Sequence, residues 1–436
     1  MSTKHSPPAQ SAWIYAMVDM EKQSSSPPAY LSPSYQQQLC YRIRYEAEAG
    51  FAQTTCTIQR GNDLPQSPSH STHTIARMTE EYETYSLGDF DLQQGGKIPG
   101  AWIAYKAFGS PDLPAVIYPT WYSGSRLTKH PSWLIGETKT LNPSKYHIII
   151  PALFGNSQSS SPSNTPFLRP FPNVTFHDNI RAQHLLITKH LGVTHAFAVL
   201  GWSMGAGQTY QWATQYPSFI DCAVPFCGSA RTSLHNQVFL EGVKAALVAG
   251  RGAVSQGVCQ GETGGKGEGK GERWTEEQRE VGLKALGRVY AGWGFSQAFY
   301  RERLFESSLG FKDLEDFMVN FWEAWALSKD PDNMLTMLYT WQSGDVSAQA
   351  PYNHDFEAAM RGITAKTLVL PGKTDLYFPP EDSENEVKCM KEGVGRWEAF
   401  PSVWGHWAGG PGQSTEDAKW LDEKLKAFFT EVEAGL

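Results

Sequence analysis

The sequence predicts an α/β protein, a mostly parallel, doubly wound sheet with a helical cap inserted into it. Three observations carry that expectation. From Tyr82 onward, short apolar runs alternate with stretches of helical apolar spacing, the pattern of successive βαβ units. The run Ile148-Ile149-Ile150 is apolar without alternation, as suits a strand buried on both faces of a parallel sheet. Between about Ser233 and Phe356 the alternation gives way to helical patterns and then resumes.

Taken in order, residues 1–80 stand apart, with Ser-, Pro- and Gln-rich stretches such as SSSPPAYLSPSYQQQ. Such segments bury little apolar surface, so a flexible N-terminal extension is expected. Residues 81–232 form the first part of the core. They open on two strands joined by a turn at Gln94–Lys97, followed by a strand at Ala115–Tyr118 and the Ile148–Ile150 strand. HDNIRAQHLLITKHLGV has helical spacing, with Gly192 as its stop. HAFAVLGWS reads as a strand running into a sharp turn, AGQTYQWATQYPS as the helix after it, and CAVPFCGSA as the next strand. Residues 233–356 are the helical cap, interrupted by a Gly-rich loop at 256–272. Residues 357–436 complete the core with two more strand-then-loop segments, TLVLPGKTD and EAFPSVWGH, and a closing amphipathic helix.

Composition narrows the function. Forty-five acidic residues against 37 basic ones leave a formal net charge of −8, which argues against nucleic-acid binding. No apolar stretch reaches membrane-spanning length. The N-terminal apolar patch at Ala12–Val18 is too short for a signal peptide, and EAGL is no sorting signal. A cytoplasmic location is therefore expected. The six cysteines (Cys40, Cys56, Cys222, Cys227, Cys259 and Cys389) match no zinc spacing, so free thiols and no metal are expected.

The chemistry concentrates at Gly201-Trp202-Ser203-Met204-Gly205, a G-x-S-x-G pentapeptide between a strand-like and a helix-like segment. In the α/β-hydrolase fold this is the strained turn that lifts a nucleophilic serine above the sheet edge. An ordinary Gly-rich turn with an idle serine is the plain alternative. A serine hydroxyl needs a base, and the order expected in this fold is Ser, then an acid, then His. Asp375 follows the strand TLVLPG, and His406 follows the strand-like EAFPSVW. Taken singly, Asp375 also reads as a turn or cap residue and His406 as a loop histidine. Of the rivals, His177 starts a helix, His195 opens the strand at its wrong end, and His354 follows no clear strand. The backbone N–H of Met204 is one expected oxyanion donor. The loop Thr120–Gly124 should give the other, at Tyr122.

With these residues in view, the chain resembles the homoserine O-acetyltransferase family of α/β hydrolases from about Tyr82 to its end. YSLGDFDLQQGGKIPGAWIAYKAFG, ALFGNSQSSSPSN, VTFHDNIRAQHLL, LGWSMGAGQTYQWATQYP, TDLYFPPE and WGHWAGG carry the resemblance. It implies a Ser203–His406–Asp375 triad, an acyl-serine intermediate, a helical lid, and Tyr122 as the second oxyanion donor. The chain departs from the acetyltransferase pattern where substrate is read. The aspartate that follows the histidine in that pattern is Trp407 here. The lid arginine matches Arg288, and the lid tyrosine is Phe295. Arg288, Phe295 and Trp407 are thus the substrate-binding positions the resemblance implies. An aspartate suits an ammonium group and an arginine a carboxylate, so an indole in place of the aspartate favours an uncharged, less polar group.

The GHWAG form resembles a divergent branch of hydrolases and acyltransferases, some of which work in fungal specialised metabolism. The function expected is serine acyl transfer, as esterase, thioesterase or O-acyltransferase on a small, mainly apolar ester or thioester. L-homoserine O-acetylation and a non-catalytic receptor or scaffold are the alternatives. No bound cofactor is expected, acyl-CoA being one conceivable acyl donor. No membrane or nucleic-acid partner is expected, and a homodimer is compatible with this reading.

Overall fold

The computed structural model describes residues 82–122, 133–252, 273–411 and 413–436. The expected extension at 1–80 and the Gly-rich loop at 256–272 lie outside the described residues. Among the described residues, eight strands form one sheet in the order β1-β2-β4-β3-β5-β6-β7-β8. They are β1 (Glu83–Asp91), β2 (Lys97–Phe108), β3 (Ala115–Ile117), β4 (His147–Pro151), β5 (Ala196–Trp202), β6 (Ile220–Phe226), β7 (Lys366–Val369) and β8 (Gly395–Trp397). β1 and β2 form an antiparallel hairpin, β2 runs antiparallel to β4, and the remaining neighbours are parallel.

The central strands β3, β4 and β5 are buried along their whole length, which is why they read as unbroken apolar runs. Helices α1 (Phe176–Leu185) and α2 (Met204–Gln215) lie in the first half of the chain. α1 starts at a capping box in which Thr175 and Asp178 satisfy each other's backbone N–H groups. After β6 come α3 (Leu234–Ala249), α4 (Glu276–Gly294) and α5 (Pro331–Gln342); α6 (Phe356–Gly362) lies just before β7, and α7 (Pro380–Cys389) and α8 (Thr415–Gly435) follow β7.

An excursion separates β6 from β7. It holds α3 (Leu234–Ala249), α4 (Glu276–Gly294), a run of short helical turns between Gln297 and Leu327, and α5 (Pro331–Gln342). Its two ends meet. Arg231 and Asp345 form an antiparallel bridge, Thr232 N–H donates to Gly344 O at 2.9 Å, and Val346 N–H donates to Ala230 O at 3.1 Å. A short backbone clasp therefore closes the base of the cap.

One sequence expectation is corrected. EAFPSVW is not a strand leading to His406. β8 ends at Trp397, and beyond it Phe400 makes one bridge to Gly372. Pro401 has no N–H to continue a ladder, so His406 rides on a loop that ends in a 3₁₀ turn at Gly405–Trp407.

Candidate active site

The site grows out of the turn between β5 and α2. Ser203 takes φ 58°, ψ −125°, a conformation costing of order 1–3 kcal/mol for a residue with a Cβ. The surroundings enforce it. Ser203 N–H donates to Phe226 O at 3.1 Å, and Ser203 O accepts from Ala206 N–H at 2.8 Å. Glycine is required on either side. A Cβ on Gly201 would lie 2.3 Å from Gly205 O, and one on Gly205 would lie 2.9 Å from Pro119 O. The second contact brings the loop after β3 onto the first turn of α2, where Gln208 Nε2 also donates to Thr120 O at 2.7 Å.

Three residues far apart in sequence converge above this edge. His406 Nε2 lies 2.8 Å from Ser203 Oγ, and His406 Nδ1 lies 2.8 Å from Asp375 Oδ2. The other carboxylate oxygen accepts from the N–H groups of Tyr377 at 2.8 Å and Phe378 at 3.1 Å. Both carboxylate oxygens are thus engaged, which fixes the acid's rotamer and leaves one oxygen to orient the imidazole. With Asp375 accepting at Nδ1–H, Nε2 is left as the acceptor for the serine proton. All three side chains are buried.

The His406 loop is held by bonds that cross from neighbouring elements. Thr374 Oγ1 donates to Ser402 O at 3.0 Å and accepts from Gly405 N–H at 3.2 Å, tying the aspartate loop to the histidine loop. Trp202 Nε1 donates to His406 O at 3.0 Å, and its ring stacks on the imidazole with centroids 4.9 Å apart. Cys227, at φ 48°, donates Sγ–H to Ala408 O at 3.1 Å. Cys222, Cys227 and Cys389 are free thiols, and burial pushes the Cys227 thiol well above its ordinary value. Among the described residues no group of His, Cys, Asp or Glu could hold a metal, and no helix is long and apolar enough to cross a membrane.

The two expected oxyanion donors lie on the elements just described. Met204 opens α2, so its N–H is one of the first-turn donors a helix leaves unpaired. Tyr122 ends the described part of the loop after β3. It is buried, with its ring stacked on Tyr290 and its hydroxyl donating to Met334 O at 3.3 Å.

The substrate positions implied by resemblance fall elsewhere. A cavity of about 10 Å³ beside Ser203 is lined by Phe176, Met204, Gly207, Ser229, Thr232, Trp341 and Phe378. Arg288, Phe295 and Trp407 are not in its wall. Arg288 is already neutralised, its guanidinium 2.5 Å from both Glu315 and Glu323. Phe295 is fully buried against Phe299 and Trp407. Trp407 packs among Trp202, Phe295 and Trp322, and its indole N–H is buried without a partner among the described residues. The lid pairing of arginine and tyrosine is here an ion-pair and packing arrangement. Trp202 carried a signal that sequence reading passed over, since it sits inside the serine motif itself; Phe176, Thr232 and Trp341 come from three separate segments that only the fold assembles.

The rival histidines are accounted for. His195 pairs with Asp221 at 2.8 Å at the exposed start of β5. His354 is exposed at φ 72°, and His177 sits in the first turn of α1. Neither lines the cavity at Ser203.

Residues 126–244 match the family model of the alpha/beta hydrolase fold. A probable esterase of Corynebacterium glutamicum is 34% identical over 321 residues, or 71% of this chain and 86% of its own length. An ethyl acetate hydrolase of Pseudomonas veronii is 32% identical over 357 residues, 80% of this chain and 95% of its own. The crystal structure of an acetylester hydrolase from Corynebacterium glutamicum has a TM-score of 0.72 at 32% identity, covering 80% of this chain and 96% of that one. A homoserine O-acetyltransferase of Rhodospirillum rubrum is 35% identical over 285 residues, 61% of this chain and 68% of its own. With identity of this order across nearly the whole of two esterases, the chain belongs to a divergent branch of the α/β-hydrolase family that holds these esterases and the homoserine O-acetyltransferases, and it is an enzyme of the hydrolase or acyltransferase kind.

Proposed function

We propose that the chain is a serine esterase for acetyl and similarly short-acyl esters, working through an acyl-enzyme on Ser203. The observation that carries the acyl preference is the cavity at Ser203, about 10 Å³ and walled by Phe176, Trp341 and Phe378. That is room for about one water-sized centre, which suits an acetyl methyl and not a long chain. The names of the esterase relatives, one an ethyl acetate hydrolase and one an acetylester hydrolase, agree with it.

In this reading His406 Nε2 takes the Ser203 Oγ proton as Oγ bonds to the ester carbonyl carbon, while Asp375 steadies the imidazolium. The oxyanion is met by the N–H groups of Met204 and Tyr122. When the C–O bond to the alcohol breaks, His406 gives its proton to the leaving oxygen. Water then attacks the acyl carbon, losing a proton to His406, and Ser203 leaves with that proton as the free acid departs. Trp407 offers no acceptor for an ammonium group, so an amino-acid alcohol gains nothing beside the histidine. Turnover of ethyl acetate, ethyl butyrate and ethyl octanoate is to be compared with transfer from acetyl-CoA to L-homoserine. Acetate is expected to lead by more than tenfold in kcat/KM. A faster octanoate ester, or homoserine acetylation above the ethyl acetate rate, overturns the proposal.

A further inference from the structure

Phe176 borders a second cavity. It measures about 180 Å³ and is lined, besides Phe176, by polar side chains that include Gln94, His177, Gln211, Asp345 and His354. These come from the β1–β2 turn, the start of α1, the middle of α2, the cap clasp and the segment before α6. The ring of Phe176 is seated by two glycines. A Cβ on Gly207 would come 3.0 Å from its Cζ, and one on Gly344 2.7 Å from its Cε2. The slot that holds the ring is thus made by α2 on one side and the clasp on the other. Because the same ring lines the cavity at Ser203, it is a partition between a small inner chamber and a larger outer one.

The outer wall states what it could hold. Among the described residues that line it there is no lysine or arginine to neutralise a phosphate or carboxylate, and the carboxylate of Asp345 repels anions. Apart from Phe176 and Ala348 its side chains are polar, so an alkyl group gains little. Donors and acceptors are both present. Asp345 Oδ1 is occupied by Ser347, while the buried Nδ1 of His177 has no partner among the described residues. Burial pushes the His177 imidazole below its ordinary value, which favours the neutral ring with one donor and one acceptor nitrogen. A mixed hydrogen-bonding surface whose described lining carries one carboxylate and no cation matches a hydroxyl-rich molecule without negative charge.

We propose that this outer cavity receives the alcohol half of the ester, a neutral polyhydroxylated group of about monosaccharide size, with Phe176 setting how far the two chambers communicate. The inference rests on the esterase reading and names its leaving-group class. It is tested with the full-length enzyme on methyl 6-O-acetyl-β-D-glucoside and ethyl acetate. Ala348→Phe fills the cavity. His354→Asn removes an imidazole while tolerating the left-handed backbone. In both, kcat/KM for the glucoside relative to ethyl acetate is expected to fall by about fivefold, the size of a lost hydrogen bond, mainly through KM. Phe176→Ala is expected to raise that ratio.

Methyl β-D-glucoside, tested on the unmodified enzyme, should inhibit ethyl acetate hydrolysis while methyl β-D-glucuronide does not, a readout that survives misfolding of any variant. An unchanged ratio in folded Ala348→Phe and His354→Asn, or equal effects of the two glycosides, overturns the proposal. Ser203-dependent cleavage of ethyl acetate with no cleavage of the acetylated glucoside leaves the esterase reading standing and removes this one. Failure to cleave either ester removes both.

Discussion

The sheet and the cap are packed by different means. In the sheet the central strands bury small and β-branched aliphatics, among them Val116, Ile148, Ile149, Ile150 and Val199. The loops at its edge are tied by directional bonds: Ser203 to Phe226, Asp375 to Tyr377 and Phe378, Thr374 to both Ser402 and Gly405. The cap, by contrast, buries a cluster of rings, with Phe295, Phe299, Phe305, Phe317 and Trp322 packed against one another. Trp341 of α5, and Trp407 of the histidine loop packed against the cap, have buried indole N–H groups without partners among the described residues. Hydrogen bonds fix reacting atoms to fractions of an ångström, and ring contacts fill volume without specifying position so closely. The wall beside Ser203 draws on both parts, Phe176 and Phe378 from the sheet side and Trp341 from the cap.

The largest expected effect breaks the sheet side of that comparison. Ser203→Ala should lower kcat by about 10⁴-fold or more and abolish labelling by a fluorophosphonate probe. Labelling equal to the unmodified protein would remove Ser203 from the reaction. His406→Ala should lose most of the labelling as well.

The second prediction sharpens the cap side through a loop residue packed against it. Trp407→Asp restores the residue of the acetyltransferase pattern, but places a carboxylate among Trp202, Phe295 and Trp322. An unpaired charge there should destabilise the fold by several kcal/mol. Denaturant unfolding would show this, and homoserine transfer should not appear. A stable variant that acetylates homoserine would mean that the position reads substrate after all.

A third prediction concerns the seam between α2 and α7. Glu386 is fully buried there, accepting from Tyr210 Oη–H at 2.7 Å and Ala230 N–H at 2.6 Å, and burial pushes its carboxyl up to about 8. The folded state then holds a proton that the unfolded state, with an ordinary carboxyl near 4.5, releases. The contribution of this group is full below the unfolded value and is lost as pH rises toward about 8. Unfolding free energy should therefore drop across that interval, by at most about 1.4 kcal/mol per pH unit. Glu386→Gln should flatten the slope; a profile unchanged by the substitution contradicts the assignment.

The smallest effect expected is that of Trp407→Phe. Removing an unpartnered N–H while keeping an aromatic ring should move stability by less than about 1.5 kcal/mol and ethyl acetate hydrolysis by less than about threefold. A tenfold loss of activity with stability intact would show that the indole touches substrate.

How far the sequence could be read follows the same division. The serine turn was legible because its geometry demands glycine at Gly201 and Gly205, and local backbone constraints leave local sequence marks. Asp375 and His406 were legible from chain order, although the strand expected before His406 is a loop. The surroundings of Arg288 and Phe295 were not legible, because a lid residue's meaning depends on what faces it. Glu315 and Glu323 capture the arginine, and neither is near it in sequence. The cavity walls were illegible for the same reason: Phe176, Thr232 and Trp341 become neighbours only once α1, the clasp and α5 are assembled.

The clasp at Ala230–Thr232 and Gly344–Val346 has a consequence for how such a chain can vary. Because the excursion leaves and rejoins the sheet at one paired point, the strands beyond it do not register how many residues lie between. Loop-closure entropy grows only with the logarithm of length, about 0.6 kcal/mol for each doubling. Insertions and deletions between Thr232 and Gly344 are therefore absorbed locally. What such changes must preserve is the cap's own hold on the catalytic loops, where Ser296 Oγ–H donates to Val403 O and Asn236 Nδ2 donates to Tyr377 O.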